Sequence, residues 1–152
     1  MNITKVLVAI DESENSDRAL DFALGLSEKF EAAVTILNVS ESLGISLNAT
    51  ETMTSSSASM AEVAKDINKI HENFLSKALA KAKAAKPSLE ISSIQKQGDS
   101  ATEIVQAAKD GGFEIIVVGH RGQGKKRVQE FLMGSISEKV AHLAPCPVVI
   151  VK

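Results

Sequence analysis

The feature that most constrains the fold is an alternation of apolar, β-branched segments with segments of helical periodicity. Buried strands are predicted at residues 4–10, 33–39 and 114–118, a half-exposed or edge strand at 89–97, and a short last strand at 147–151. Between them, apolar residues recur every three or four positions, which indicates helices. This alternation predicts an α/β fold with a parallel sheet covered on both faces. The 152 residues fit one domain, 1–152.

Local signals mark where the helices begin and end. Ser-x-x-Glu patterns at Ser100 and Ser135 predict capping boxes that open two of the helices. Residues 40–58 are rich in Ser, Thr and Asn, and we interpret them mainly as a mobile loop. A long helix is predicted after this segment, with its end marked by Pro87.

Composition excludes several classes of protein. The net charge of -2 gives no general attraction to nucleic acid or to anionic membranes, and no apolar run approaches the roughly 18 residues of a membrane span. The absence of Trp and Tyr disfavours base-stacking surfaces. One cysteine, Cys146, permits no internal disulfide, and the N-terminal residues lack the features of a signal peptide. We therefore expect a cytoplasmic protein with neither nucleic-acid nor membrane partners.

Two polar segments are predicted to meet at the carboxyl edge of the sheet, where open parallel sheets bind ligands. Asp11 follows the first strand, and a Gly-rich stretch that begins at Gly119 follows the fourth. If these strands are neighbours, the two segments face each other across a crevice. The helix predicted near Gly134 and Ser135 would offer backbone N–H groups suited to phosphate. Four nearby cations make the region a plausible anion site: Arg121, Lys125, Lys126 and Arg127.

Each of these features also has a simpler interpretation. Asp11 alone could be a helix cap, the Gly-rich stretch a tight turn, and the basic run a solvated face. The more specific nucleotide-binding motifs are not matched. Lys126 occupies the position where a P-loop needs Ser or Thr, and Arg127 occupies the last glycine position of the dinucleotide-binding pattern. The sequence also contains no His/Cys cluster with zinc spacing and no Gly-x-Ser-x-Gly elbow. Only the combination of features at one sheet edge favours a ligand site.

The segments VLVAIDESENSDRAL and VVGHRGQGKKRVQEFLMGSISEKVAHLAPCPVVIVK resemble the first strand and helix and the last third of the universal stress protein family. The resemblance covers essentially the whole chain. It implies a Rossmann-like (adenine nucleotide alpha hydrolase-like) domain whose five-stranded parallel sheet has the order 3-2-1-4-5. It also implies a homodimer joined through the last strand, at Val148, Val149, Ile150 and Val151.

The ATP-binding branch of that family has the pattern Gly-x-x-Gly, nine residues, then Gly-Ser or Gly-Thr. Gly119-x-x-Gly122 and Gly134-Ser135 resemble it, but eleven residues separate Gly122 from Gly134. Our hypothesis is that the two extra residues bulge outward, since loops tolerate insertions at small entropic cost. The alternative is that the loop shifts and triphosphate affinity falls.

The resemblance also implies which residues would bind ATP, with Mg²⁺ held through the phosphates. The residues implied near adenine and ribose are Ala9, Ile10, Asp11 and Val39, with Val118 packed close to them. Those implied along the ribose and phosphates are Gly119, Arg121 and Gly122. Those implied to cradle the phosphates are Gly134, Ser135 and Ile136.

Three functions follow as alternatives. The leading one is an ATP-binding regulatory protein with a role in stress or metabolic signalling. We find no convincing catalytic base, and Asp11 is better suited to hydrogen-bond the nucleotide, so any hydrolysis is expected to be slow. The second is a nucleotide-free dimeric interaction module, which the eleven-residue spacing keeps open. The third is an enzyme, such as a phosphotransferase or ATPase.

Overall fold

The computed structural model describes residues 2–41, 56–121 and 134–152, with side chains in the second helix described from Ser59 onward. Strands and helices alternate through these ranges, as the sequence predicts. They are β1 (Lys5–Ala9), α1 (Glu14–Phe30), β2 (Ala33–Ser40), α2 (Ser56–Ala85), β3 (Ile91–Gln97), α3 (Ser100–Gly111), β4 (Ile115–Gly119), α4 (Ser135–Leu143) and β5 (Val148–Val151).

The five strands form one parallel sheet of order β3-β2-β1-β4-β5. The implied strand order is therefore confirmed. Strand β1 lies at the centre, where Val8 is in register with Ile36 on one side and with Val117 on the other. Because β1 and β4 are neighbours, the segments that follow them emerge side by side at the carboxyl edge.

Both faces of the sheet are covered, which explains why the central strands are almost continuously apolar. Val8 and Ile36 point to the face covered by α1 and α2, whereas Leu7 and Leu37 point to the face covered by α3 and α4. All four side chains are fully buried. Burying each such side chain stabilises the fold by about 1.5–3 kcal/mol.

The capping boxes predicted at Ser100 and Ser135 are wrong by one residue. The N-caps are Asp99 and Gly134, so each serine is the first helical residue instead. The Asp99 carboxylate accepts a hydrogen bond from the Thr102 N–H at 2.9 Å. An aspartate caps a helix as well as a serine does, so the pattern Asp-Ser-x-x-Glu contains two possible start positions.

Asp99 also connects α3 to α4. Its carboxylate accepts hydrogen bonds from the Thr102 hydroxyl at 2.5 Å and from the Lys139 ammonium on α4 at 2.9 Å. The Thr102 hydroxyl, the Lys139 ammonium and the Thr102 N–H together hold the pKa of Asp99 well below its usual range. This contact joins the N-cap of α3 to the second turn of α4, on the same face of the sheet.

Helix α2 begins inside the segment that the sequence assigned mainly to a loop, residues 40–58. Strand β2 extends to Ser40 and the helix begins at Ser56, while residues 42–55 lie outside the described part of the chain. The predicted end near Pro87 agrees with the last helical residue, Ala85. Within the described ranges, no helix combines the length and the hydropathy that a membrane span requires.

Candidate functional site

A cleft opens at the carboxyl edge of the sheet, where β1 and β4 end side by side. Its volume is about 730 Å³ when the part open to solvent is included. The residues that line it come from the ends of β1, β2 and β4 and from the first two turns of three helices. They are Ala9, Ile10, Asp11, Ser13, Ser16, Val39, Ser100, Ile104, Val118, Gly119, Arg121, Gly134, Ser135, Ile136 and Ser137.

The cleft brings together all the predicted site residues that the structure describes. Those lining it are Ala9, Ile10, Asp11, Val39, Val118, Gly119, Arg121, Gly134, Ser135 and Ile136. Gly122 and the basic residues Lys125, Lys126 and Arg127 lie outside the described residues. The nucleotide contacts assigned to these residues stay predictions.

Five further lining residues were not predicted as part of the site: Ser13, Ser16, Ser100, Ile104 and Ser137. Ser100 is the first residue of α3 and Ile104 lies one turn later, and α3 starts at the same sheet edge because β3 is parallel to β2. A helix that follows a parallel strand always begins at the carboxyl edge. That rule was the signal that could have identified the α3 residues.

Asp11 is held by the first turn of α1. Its N–H donates to the Ser16 hydroxyl at 2.8 Å, and the same hydroxyl donates to the Asp11 carbonyl at 2.8 Å. One oxygen of its carboxylate accepts from the Ser13 N–H at 2.9 Å. The N-cap of α1 is Ser13, whose side chain accepts from the Ser16 N–H. Asp11 therefore lies before the cap, and the interpretation of Asp11 as the helix cap is wrong.

Two glycines let backbones approach closely around the cleft. A Cβ atom on Gly119 would lie 2.9 Å from the carbonyl carbon of Asn15 in α1. A Cβ atom on Gly134 would lie 2.9 Å from the carbonyl oxygen of His120. Both separations are shorter than real Cβ contacts, so any larger residue would force backbone to move. The close packing of β4 against α1 and α4 thus depends on glycine at both positions.

The first turn of α4 is anchored to the end of β4. The Gly134 N–H donates to the His120 carbonyl at 3.0 Å, and the Ser137 hydroxyl contacts the same carbonyl at 3.1 Å and the Gly134 carbonyl at 2.9 Å. The His120 N–H in turn donates to the Val151 carbonyl of β5 at 2.6 Å. The start of α4 is therefore fixed with its amino end at the cleft, where helices carry a partial positive charge.

The charges at the cleft are few. Among the described lining residues, Arg121 is the only cation and Asp11 the only acid. Burial, followed by the nearby charges of Arg121 and Lys152, lowers the pKa of the neighbouring His120. The described parts of the chain contain no group of three or more His, Cys, Asp or Glu side chains that could hold a metal ion.

Sheet order and cleft together define a Rossmann-like α/β protein with a cleft at the switch point of its sheet, the place where proteins of this class bind ligands. The sequence model of the universal stress protein family matches residues 2–152. The chain is 36% identical to the universal stress protein YxiE of Bacillus subtilis over 97% of its own length and 98% of that protein. The chain therefore belongs to the universal stress protein family.

Solved structures share the same architecture. The universal stress protein UspA from Lactobacillus plantarum superposes with a TM-score of 0.79 at 20% identity, covering 100% of this chain and 99% of that one. A universal stress protein in complex with cAMP gives 0.72 at 24% identity, covering 100% and 99%. The universal stress protein from Archaeoglobus fulgidus in complex with dAMP gives 0.65 at 20% identity, covering 100% of both chains. Some proteins of this fold thus carry bound adenine nucleotides.

Proposed function

We propose that this protein binds ATP in the described cleft and acts as a nucleotide-dependent regulatory protein in a stress response. The observation that carries the proposal is the meeting of an apolar recess with a fixed helix start in one cleft. Ala9, Val39, Ile104 and Val118 form the apolar part, and Gly134 marks the start of α4. An adenine base and a triphosphate need those two environments side by side.

Related structures support the choice of an adenine nucleotide. The complexes with cAMP and dAMP belong to proteins that share this fold over their whole length. In our proposal the base lies in the apolar recess near Val39, the ribose near Asp11, and the phosphates near Gly134 and Ser135. Mg²⁺ would be held through the phosphates.

Slow hydrolysis at most is expected from this arrangement. One carboxylate oxygen of Asp11 already accepts the Ser13 N–H, and the carboxylate lies before the first turn of α1. We assign it to hydrogen bonding with the nucleotide rather than to proton abstraction from water. Phosphate capture by backbone N–H groups needs no catalytic base.

We further propose that the chain is one domain and that it works in the cytoplasm as a homodimer. Strand β5 lies at the edge of the sheet, and Val148, Val149, Ile150 and Val151 are all half-buried. An apolar edge strand is a liability unless another chain or element covers it. Pairing with the β5 strand of a second copy would cover it.

A charge placed at the start of α4 tests the phosphate site directly. Ser135 is exposed at the first position of α4, where an acidic side chain is favourable to a helix. S135E should therefore keep the fold and still repel the phosphates. We expect its affinity for Mg-ATP to fall by at least about fivefold, as one added like charge costs on the order of 1–4 kcal/mol at such distances.

The matched control is A141E, which adds the same charge to an exposed position of the same helix, six residues later. We expect its affinity to stay within about twofold of the wild type, because the added charge is about 9 Å further along the axis. Isothermal titration calorimetry with Mg-ATP, and with GTP and FMN for comparison, measures both variants. Equal affinities of S135E and the wild type would contradict the proposed phosphate site.

The alternative function is a nucleotide-free dimeric interaction module. It is favoured by the eleven residues between Gly122 and Gly134, two more than in the ATP-binding pattern. For such a module, titration of the wild type would give no heat, and millimolar ATP would leave the melting temperature unchanged.

A further inference from the structure

A buried amide connects the cleft to helix α2. Asn38 lies in β2 with only 2% of its surface exposed, and its Nδ2 atom donates to the Ile10 carbonyl at 2.9 Å. Ile10 directly follows β1 and lines the cleft. A buried side-chain amide that hydrogen-bonds a backbone carbonyl fixes that carbonyl, because losing the bond would leave both groups unsatisfied.

His71 of α2 holds the other side of this amide. Its Nδ1 atom lies 3.0 Å from the Asn38 Oδ1 atom. A carbonyl oxygen only accepts, so the amide nitrogen must face Ile10 and the amide oxygen must face His71. The Nδ1 atom of His71 must then carry a hydrogen. The neutral tautomer with its hydrogen on Nε2 would instead place two acceptors against each other.

The peptide between Ile10 and Asp11 is thereby held at both of its polar atoms. Its carbonyl oxygen accepts from Asn38, and its N–H donates to the buried Ser16 hydroxyl. The preceding peptide is also fixed, since the Ile10 N–H donates to the Leu37 carbonyl at 2.8 Å. Rotation of the Ile10–Asp11 peptide would break both side-chain bonds and move the Asp11 carboxylate.

We infer that His71 and Asn38 are positioning residues for the nucleotide cleft, which tie α2 to the backbone that carries Asp11. This inference rests on the proposed function, because it assigns these residues a role in nucleotide affinity. Helix α2 contributes no residue to the described lining of the cleft. Its influence passes from the His71 ring through the Asn38 amide to the Ile10 carbonyl.

The His71 side chain contributes little to the packing of the core. It is only partly buried, and the adjacent Ile70 is 57% exposed. Its removal should therefore cost little packing, and the stability that it does cost comes from the Asn38 Oδ1 atom left without its hydrogen bond. The affinity for nucleotide should fall as well, since a less ordered Asp11 must be ordered when the ligand binds.

Three variants separate positioning from packing. H71A removes the donor to Asn38, whereas H71N retains a side-chain N–H close to the position of the histidine Nδ1 atom. H142A removes an exposed histidine from α4 and serves as the control. With Mg-ATP in isothermal titration calorimetry, we expect H71A to bind about fivefold more weakly, and H71N and H142A to bind within about twofold of the wild type. Wild-type affinity of H71A, or affinity of H71N as low as that of H71A, would overturn the inference.

A second measurement needs no nucleotide. In ¹⁵N NMR spectra of the free protein, we expect the His71 ring to carry its hydrogen on Nδ1, and the Asp11 amide resonance to shift in H71A and return in H71N. A His71 ring protonated on Nε2 alone, or an Asp11 amide unaffected by H71A, would overturn the inference. If the wild type bound no ATP, the proposed function would fail, and these spectra would still decide whether His71 positions the Ile10–Asp11 peptide.

Discussion

Replacing Gly134 by alanine tests whether the start of α4 is fixed by close backbone packing. The added Cβ atom would lie 2.9 Å from the His120 carbonyl oxygen and 3.3 Å from the Arg121 Cα atom. Neither neighbour is a flexible side chain, and His120 is itself bonded to Val151 of β5. Helix α4 must therefore move by a few tenths of an ångström. Overpacking of this kind costs about 1–3 kcal/mol of unfolding free energy.

The same movement displaces the amino end of α4 from the cleft. We expect the affinity of G134A for Mg-ATP to fall about tenfold, because the backbone N–H groups of the first turn would no longer be aligned with the phosphates. Urea denaturation followed by circular dichroism measures the loss of stability, and isothermal titration calorimetry measures the loss of affinity.

A second glycine provides a control with the opposite sign. Gly25 lies inside α1, and a Cβ atom placed there would meet nothing within 4 Å. We expect G25A to gain about 0.5–1 kcal/mol, since alanine is the better helix former. If G134A unfolded at the same urea concentration as the wild type while G25A became more stable, the argument from close packing at Gly134 would be refuted.

Three further predictions concern the rest of the molecule. Glu31 ends α1 in the left-handed region with φ of 54°, so E31G should raise the free energy of unfolding, measured by urea denaturation, by about 1 kcal/mol. Gly112 occupies the equivalent position of α3 with φ of 61°, so G112A should lower the free energy of unfolding by a similar amount. Equal stability of the wild type and these two variants would contradict this. The folded-state pKa of Asp99 is lowered from its ordinary value of 3.8, so its stabilising effect is present above that value and is lost as the pH falls below it. The stability difference between the wild type and D99N, measured by urea denaturation from about pH 5 to about pH 3, should therefore shrink, and a constant difference would count against this pKa shift. Burial raises the pKa of the Cys146 thiol, so a disulfide reagent at neutral pH should modify the native protein more slowly than the urea-unfolded protein, and equal rates would contradict that expectation.

Most of the fold could be predicted because the spacing of apolar residues along a strand reflects how deeply that strand is buried in the sheet. The continuous apolar runs around Val8 and Val117 became central strands, and the alternating residues 89–97 became the edge strand β3. Helix starts were less predictable. Asp99 and Ser100 are both good caps, and the choice between them depends on where β3 ends, which local sequence does not decide.

The residues of the candidate site that directly follow a strand could be predicted, because the order of strands in the sheet determines where they lie. Asp11 and Gly119 follow neighbouring strands, so the sheet edge brings them together. The contribution of α3 was missed because Ser100 was interpreted only as a helix cap. The bond between His71 and Asn38 could not be predicted either, since it depends on the rotation of α2 about its own axis.

The two edge strands of the sheet, β3 and β5, differ in how readily each could pair with a strand from another copy of this chain. Strand β3 ends with Gln95, Lys96 and Gln97, and a lysine on an exposed edge discourages the addition of another strand. Strand β5 is short and apolar. Joining β5 to β5 about a twofold axis uses both apolar edges and leaves only β3 edges outside, so the assembly closes at two copies. Joining β5 to β3 would repeat without end and form a fibre. In the homodimer that we propose, the polar β3 edge would therefore disfavour open-ended polymerisation.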